Sequence, residues 1–209
     1  MTFAGHDLQM IRLLVVKDWQ VYQKQLAGYL AGLLLALSLI GTGRTWSFNA
    51  GGLLLLEEQD RAQWDQREIA IGLAWLAKSA DGAAFSRFHA EAGIAAEHCL
   101  APTFRETRWE RIVECYALLE RLAPSVLHRL NRAVAIAEWQ TPAAGLAVLA
   151  GLEPPPWLAC SYMWSAVLAD LHGRCGHAEE ASRYREAALA AAPSLAVHAA
   201  LTRRLRWEG

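Results

Sequence analysis

GGLLLLEEQDRAQWD, residues 51–65, is where the chain changes character. Four consecutive leucines read as the edge of an apolar segment, and the nine residues that follow carry five charges. The charges after Leu56 argue against continuation into a membrane. Residues 53–56 are therefore expected to pack as the first turns of a helical array, with Trp64 and Asp65 opening its next helix. The stretch divides the chain into an N-terminal unit, residues 1–50, and a helical domain, residues 51–209.

Downstream, the residue usage favours helix. Ala, Leu, Glu and Arg dominate, whereas strands want Val, Ile and Thr. Asp65 with Glu68 forms an N-cap pair before QREIAIGLAWLAKS, in which Ile69, Leu73 and Leu76 share a face. FSRFHAEAGIAAEHCLA supplies the next helix. Thr107 with Glu110 predicts a capping box ahead of RWERIVECYALLERLAP, where Trp109, Ile112, Val113, Tyr116 and Leu119 keep helical spacing and Pro124 stops the run. SVLHRLNRAVAIAEWQ follows, and Thr141-Pro142 caps a short helix through Leu149. EPPP reads as a linker. A last helical pair, WLACSYMWSAVLADLHGR and AEEASRYREAALAAAP, is joined by a glycine-rich turn, and SLAVHAALTRRLRW closes the chain.

The pairs repeat. YALLERLAPS and YREAALAAAPS each run from a tyrosine to Pro-Ser, and their prolines, Pro124 and Pro193, lie 69 residues apart. Two tetratricopeptide periods of about 34 residues plus one inserted residue account for that spacing. Ala181, Ala188 and Pro193 stand at the small-residue and terminal-proline positions of the repeat, although its early Trp and Gly positions are not matched cleanly. The expected fold is all-α: a tetratricopeptide-like array of antiparallel helical pairs, preceded by one long apolar helix.

That apolar helix lies in residues 25–43, nineteen positions without a charge, which is about the length that crosses a bilayer core. Trp19, Tyr22 and Trp46 bracket it as an aromatic belt would. The competing reading is a buried core helix, because Gly28, Gly32, Gly41 and Gly43 lower its hydrophobicity. The segment MIRLLVVKDWQVYQKQLAGYLAGLLLALSLIGTGRTWSF resembles the opening of an ABC-2-type transporter permease. A permease needs several such helices, so this resemblance implies a membrane anchor and not transport.

A second resemblance covers residues 50–207. LLLLEEQDRAQWD, AGIAAEHCLAP, LLERLAPSVLHRLNRAVAIAE, PAAGLAVL and HAEEASRYREAALA are similar, in order and spacing, to the tetratricopeptide-like C-terminal extension of extracytoplasmic-function RNA polymerase sigma factors. In that family the extension follows two DNA- and polymerase-binding domains and regulates the sigma factor through protein contacts. Those two domains are absent here, so the resemblance implies a regulatory interaction domain, with sigma-factor domains or RNA polymerase as partner, and not a complete sigma factor.

The net charge of −1 speaks against direct nucleic-acid binding. No nucleophile elbow, phosphate-cradling glycine loop or His-Glu metal helix is visible, and the expectation is a protein that is not an enzyme and holds no cofactor. HGRCGH brings His172, Cys175 and His177 together, but a zinc site wants four ligands, so no metal is expected. Candidate partner contacts are Glu57, Glu58, Asp60, Arg61 and Trp64, with Asn131 and Arg132 from the LNRAVA segment. The bland alternative makes the first five a helix start, with carboxylates at the positive end of the dipole and Trp64 anchored in the core. Arg203, Arg204 and Arg206 read as a helix C-terminus favoured by the same dipole.

Two classes of function follow: a cytoplasmic interaction domain in transcription control, associated with the membrane if residues 25–43 insert, or a membrane-anchored transporter fragment fused to a helical domain. The two conflict. Arg12, Lys17 and Lys24 place the N-terminus in the cytoplasm, so a single span would carry the helical domain away from polymerase.

Overall fold

Short polar side chains set most of the helix starts. In the computed structural model, which describes residues 48–49, 52–80 and 85–206, Asp65 Oδ1 accepts the N–H groups of Arg67 and Glu68, each at 3.0 Å. That cap opens α1, Gln66–Ala80. Ser86 precedes α2, Arg87–Leu100, and its N–H donates to His89 Nδ1. After α3, Trp109–Leu122, Ser125 accepts from Leu127 N–H and starts α4, Val126–Trp139. Thr141 accepts from Ala144 N–H, with Pro142 in the first turn of α5, Pro142–Leu149. The four-residue α6, Pro156–Ala159, leads into α7, Tyr162–Arg174, capped by Ser161. Gly176, at φ +79°, turns the chain into α8, Ala178–Ala190, and Ser194 caps α9, Leu195–Arg204.

The all-α class stands. Among the described residues the strands are β1, Phe48–Asn49, and β2, Gly52–Leu53, an antiparallel pair two residues long with Phe48 opposite Leu53. No helix among the described residues is long and apolar enough to cross a membrane, and the apolar run at residues 25–43 lies outside them.

Two local expectations need correction. Residues 53–56 do not form helical turns: Leu53 ends a strand, and Leu56 begins a 3-10 turn, Leu56–Glu58. Extended backbone there lets the chain reach α9, where Arg203 Nη2 donates to Leu53 O at 2.6 Å. Thr107 does not cap α3. Its hydroxyl is buried and accepts from Arg61 instead, while Arg108 occupies the N-cap position and its side chain caps no N–H of the helix. Residues 153–155 of EPPP are irregular and join α5 to α6, which begins at Pro156 and buries Leu158 completely.

Leu158 belongs to the main core with Leu130, Ala133, Ala137, Leu149, Trp164, Leu168 and Leu171. This core forms where α4 and α5 pack together and α7 lies across both. A second cluster, Ala169, Ala188, Leu201 and Leu205, joins α7, α8 and the end of α9. A third seats Leu73 and Leu76 of α1 against Ala95 and Ala96 of α2. Neighbours along the chain pack most: α2 on α3, α3 on α4, α4 on α5 and α7 on α8. Small residues permit these approaches. A Cβ at Gly145 would stand 2.7 Å from Ala133 O and 3.0 Å from Ala137 Cβ, so α5 sits on α4 only with glycine there.

Gly145→Ala is therefore expected to lower the free energy of unfolding by roughly 1–3 kcal/mol, the usual cost of overpacking a filled core. Urea unfolding of the two proteins followed by circular dichroism measures it. Unchanged or increased stability would mean that α5 can shift away from α4 without loss.

Candidate functional site

The first wall of the site hangs on one guanidinium. Arg61 is 5% exposed and sits in the 3-10 turn Arg61–Gln63 that follows Asp60. Asp60 shapes that turn by accepting from Ala62 N–H and Gln63 Nε2, each at 3.0 Å. From it Arg61 Nη1 donates to His98 O at 2.9 Å and Ala101 O at 3.0 Å, while Nη2 donates to Thr107 Oγ1 at 3.2 Å. Those carbonyls end α2, where the helix dipole presents its negative end and the last oxygens lack intrahelical donors. Trp64, 3% exposed, lies beneath the guanidinium at 5.2 Å from Cζ to ring centroid. The N-terminal turn, the end of α2 and the start of α3 are thus tied together.

The second wall is ionic. Glu57 accepts from Arg204 Nη1 at 2.8 and 2.7 Å, and Glu58 accepts from Arg203 Nε at 3.2 Å and Nη2 at 3.1 Å. The same Glu58 takes the Leu55 N–H at 2.7 Å. Arg203 foremost, with Leu55, holds the Glu58 carboxyl below its usual range despite partial burial. Arg204 Nη2 lies 3.2 Å from Asp170, and Asp170 with Glu138 also receives Arg174, which reaches on to Ala137 O. Positions 145 residues or more apart in sequence are clasped at this point.

Between these walls lies a cavity of about 350 Å³. Leu55, Leu56 and Glu57 form one side, His98 and Phe104 another, and Ile112, Tyr116 and Trp109 of α3 a third. Asn131, Val134, Ala135 and Glu138 of α4 and Arg204 of α9 complete it. A second cavity of about 380 Å³ shares Glu57, Phe104, Trp109, Glu138 and Arg204 and adds Arg105 and Arg174. Trp109 stands edge-on between Phe104, at 5.0 Å and 64°, and His98, at 5.4 Å and 76°.

Burial sets the chemistry inside. It pushes the His98 imidazole down to about 4, helped by the positive charge of Arg61, and leaves Nδ1 buried without a hydrogen-bond partner. The same effect raises the Tyr116 hydroxyl to about 12, against the pull of its bond to Asn131, and the Cys99 thiol to about 11. His98, Tyr116 and Cys99 are therefore neutral near pH 7, and the carboxylates of Glu57 and Glu138 are held by arginines. Such walls can bind and orient a group. Among the described residues no group of three or more His, Cys, Asp or Glu is arranged to hold a metal ion; His172 and His177 meet as a pair through their Nδ1 atoms at 3.1 Å.

Of the residues singled out from the sequence, Glu57 and Asn131 line the cavity together. Glu58 is engaged in the clasp, Asp60 in its turn, and Arg61 and Trp64 are buried supports. Arg132 pairs with Glu120 across α3 and α4 at 2.7 and 3.2 Å. Sequence reasoning missed His98, Phe104, Glu138 and Arg174, which come from four separate segments. It read Trp109 and Tyr116 only as an apolar stripe and Arg204 only as a dipole-favoured helix end. The one usable signal was complementary charge, Glu57-Glu58 near the start of the domain and Arg203-Arg204 near its end.

No protein-family model matches the chain, and no solved structure matches it. An uncharacterized protein of Rhizobium meliloti (strain 1021) is 39% identical over 99 residues. The match spans 47% of this chain and 23% of that protein, which is therefore about twice as long. What the fold and cavity define is a helical domain with a clasped, aromatic-lined cleft.

Two measurements probe the site. Arg203→Glu should lower the urea midpoint of unfolding slightly, as expected for a pair about one-third exposed. Adding Glu58→Arg should restore part of that loss, and high salt should shrink both effects. A double-mutant cycle with no coupling would remove the clasp. For His98, the unfolded imidazole takes its proton near 6.5 but the folded one resists until about 4. Between those values the unfolded state binds more protons, so stability falls as pH drops. Urea unfolding from pH 7 to pH 4 should show a loss of up to about 3 kcal/mol that His98→Asn largely removes.

Proposed function

We propose that this chain carries a tetratricopeptide-like interaction domain, related to the C-terminal extensions of extracytoplasmic-function sigma factors, that takes part in transcription regulation by binding a protein partner. The observation that carries the reading is the use made of the LEEQDRAQWD segment: Glu57, Glu58, Asp60, Arg61 and Trp64 all serve in building the domain's closure. A resemblance that rests on residues with interlocking structural roles is more telling than one resting on exposed positions.

Proline placement supports the repeat. Pro124 follows the α2–α3 pair, Pro154, Pro155 and Pro156 follow the α4–α5 pair, and Pro193 follows α7–α8. Pro124 and Pro193 fall just beyond the second helix of their pairs, which they keep from continuing, whereas α5 has already ended at Leu149 and Pro156 opens α6. The greater length of the Rhizobium relative leaves room there for further domains beside the matched region. The walls of the cavity favour binding over catalysis, because burial keeps its histidine and tyrosine neutral and its two carboxylates are already engaged by arginine. Sigma-factor domains or core RNA polymerase are the expected partners.

Affinity purification of the full-length tagged chain from its native host should enrich RNA polymerase or a sigma factor. Protease added to intact cells should leave residues 57–209 uncut. Cleavage of that region from outside the cell would exclude a role at polymerase.

A further inference from the structure

We propose that the two adjoining cavities form a binding site for a small organic carboxylate with a ring-sized apolar body, an effector site separate from any protein-contact surface. Three observations converge. The space, about 350 Å³ in the inner cavity, lies within the range of small-molecule sites, and its walls are apolar and aromatic with a few polar groups. Trp109 offers an indole already fixed edge-on to Phe104 and His98, so an incoming ring meets an ordered surface and little side-chain freedom is lost. The buried His98 Nδ1 stands without a partner in a residue that lines this space, which leaves one hydrogen bond unmade.

Charge selects the ligand's sign. Glu57 is held by Arg204, and Glu138 by Arg174, so neither carboxylate can receive a cation without surrendering an arginine. Arg105 lines the outer cavity, and among the described residues it is the lining arginine with no carboxylate in ion-pairing reach. A ligand carboxylate at Arg105, with its ring directed inward over Trp109, satisfies that charge. Because Glu57 and Arg204 also form the clasp between the two ends of the domain, occupancy of the cavity would stabilise the folded domain.

The full-length chain is titrated with phenylacetate, its uncharged amide phenylacetamide and the cation phenethylamine, with binding read by calorimetry and saturation-transfer NMR. Phenylacetate should bind about fivefold more tightly than the amide, the usual scale for one partly solvated ion pair, and phenethylamine most weakly. Arg105→Met should abolish the preference for the acid while leaving the melting temperature unchanged, since Arg105 is exposed and unpaired. Val134→Phe, which fills the inner cavity, should weaken acid and amide alike. Equal affinity for the three probes, no binding at millimolar concentration by the folded protein, or a preference that survives Arg105→Met would overturn the proposal. A chain that binds phenylacetate but enriches no polymerase or sigma factor would sink the partner reading and leave this one standing.

Discussion

The buried guanidinium of Arg61 is the constraint on which the site depends. Moving a cation out of water is costly unless it is met by well-placed acceptors. Here the charge is met by the carbonyls that end α2, the Thr107 hydroxyl and the face of Trp64. The two terminal nitrogens of the guanidinium satisfy the helix end and the Thr107 hydroxyl, while its Nε stays buried without a partner. This fixes the turn before α1 against the α2–α3 junction, and Leu55, Leu56 and Glu57 are thereby delivered to the cavity. It also explains why Thr107, sited for capping, is drawn inward.

The ionic clasp works differently. Its groups are one-sixth to one-third exposed, so each pair contributes little alone. Its effect lies in geometry. Arg204 bridges Glu57 to Asp170, and through Glu138 and Arg174 the end of α9 is joined to α4 and α7. Where the apolar clusters leave α9 held chiefly through Leu201 and Leu205, the arginines set which way its last turn faces.

Helix boundaries were legible because capping is local chemistry. Asp65, Ser125, Thr141 and Ser194 each bond an N–H two or three residues on, and Gly176 turns where a positive φ is required. The errors occur where a distant partner competes for a local group. Thr107 was claimed by Arg61 across 46 residues, and the leucines before Glu57 were drawn out straight to meet α9. EPPP followed ordinary turn chemistry, but the burial of Leu158 within a core built from α4, α5 and α7 could not be read from four residues.

The sequence by itself determined the all-α class, most of the helix starts, the small residues that let helices approach, and the change of character at residues 51–65. These follow from interactions within a few residues or from composition. Only the tertiary structure decided that Glu57 and Asn131, 74 positions apart, face one cavity with Trp109 and His98, and that Glu58 and Arg203 are partners. The physical reason is that hydrophobic periodicity specifies which face of a helix is buried, but not which helix it meets. That choice is made by packing and by the few buried or clasped charges that must find their opposites.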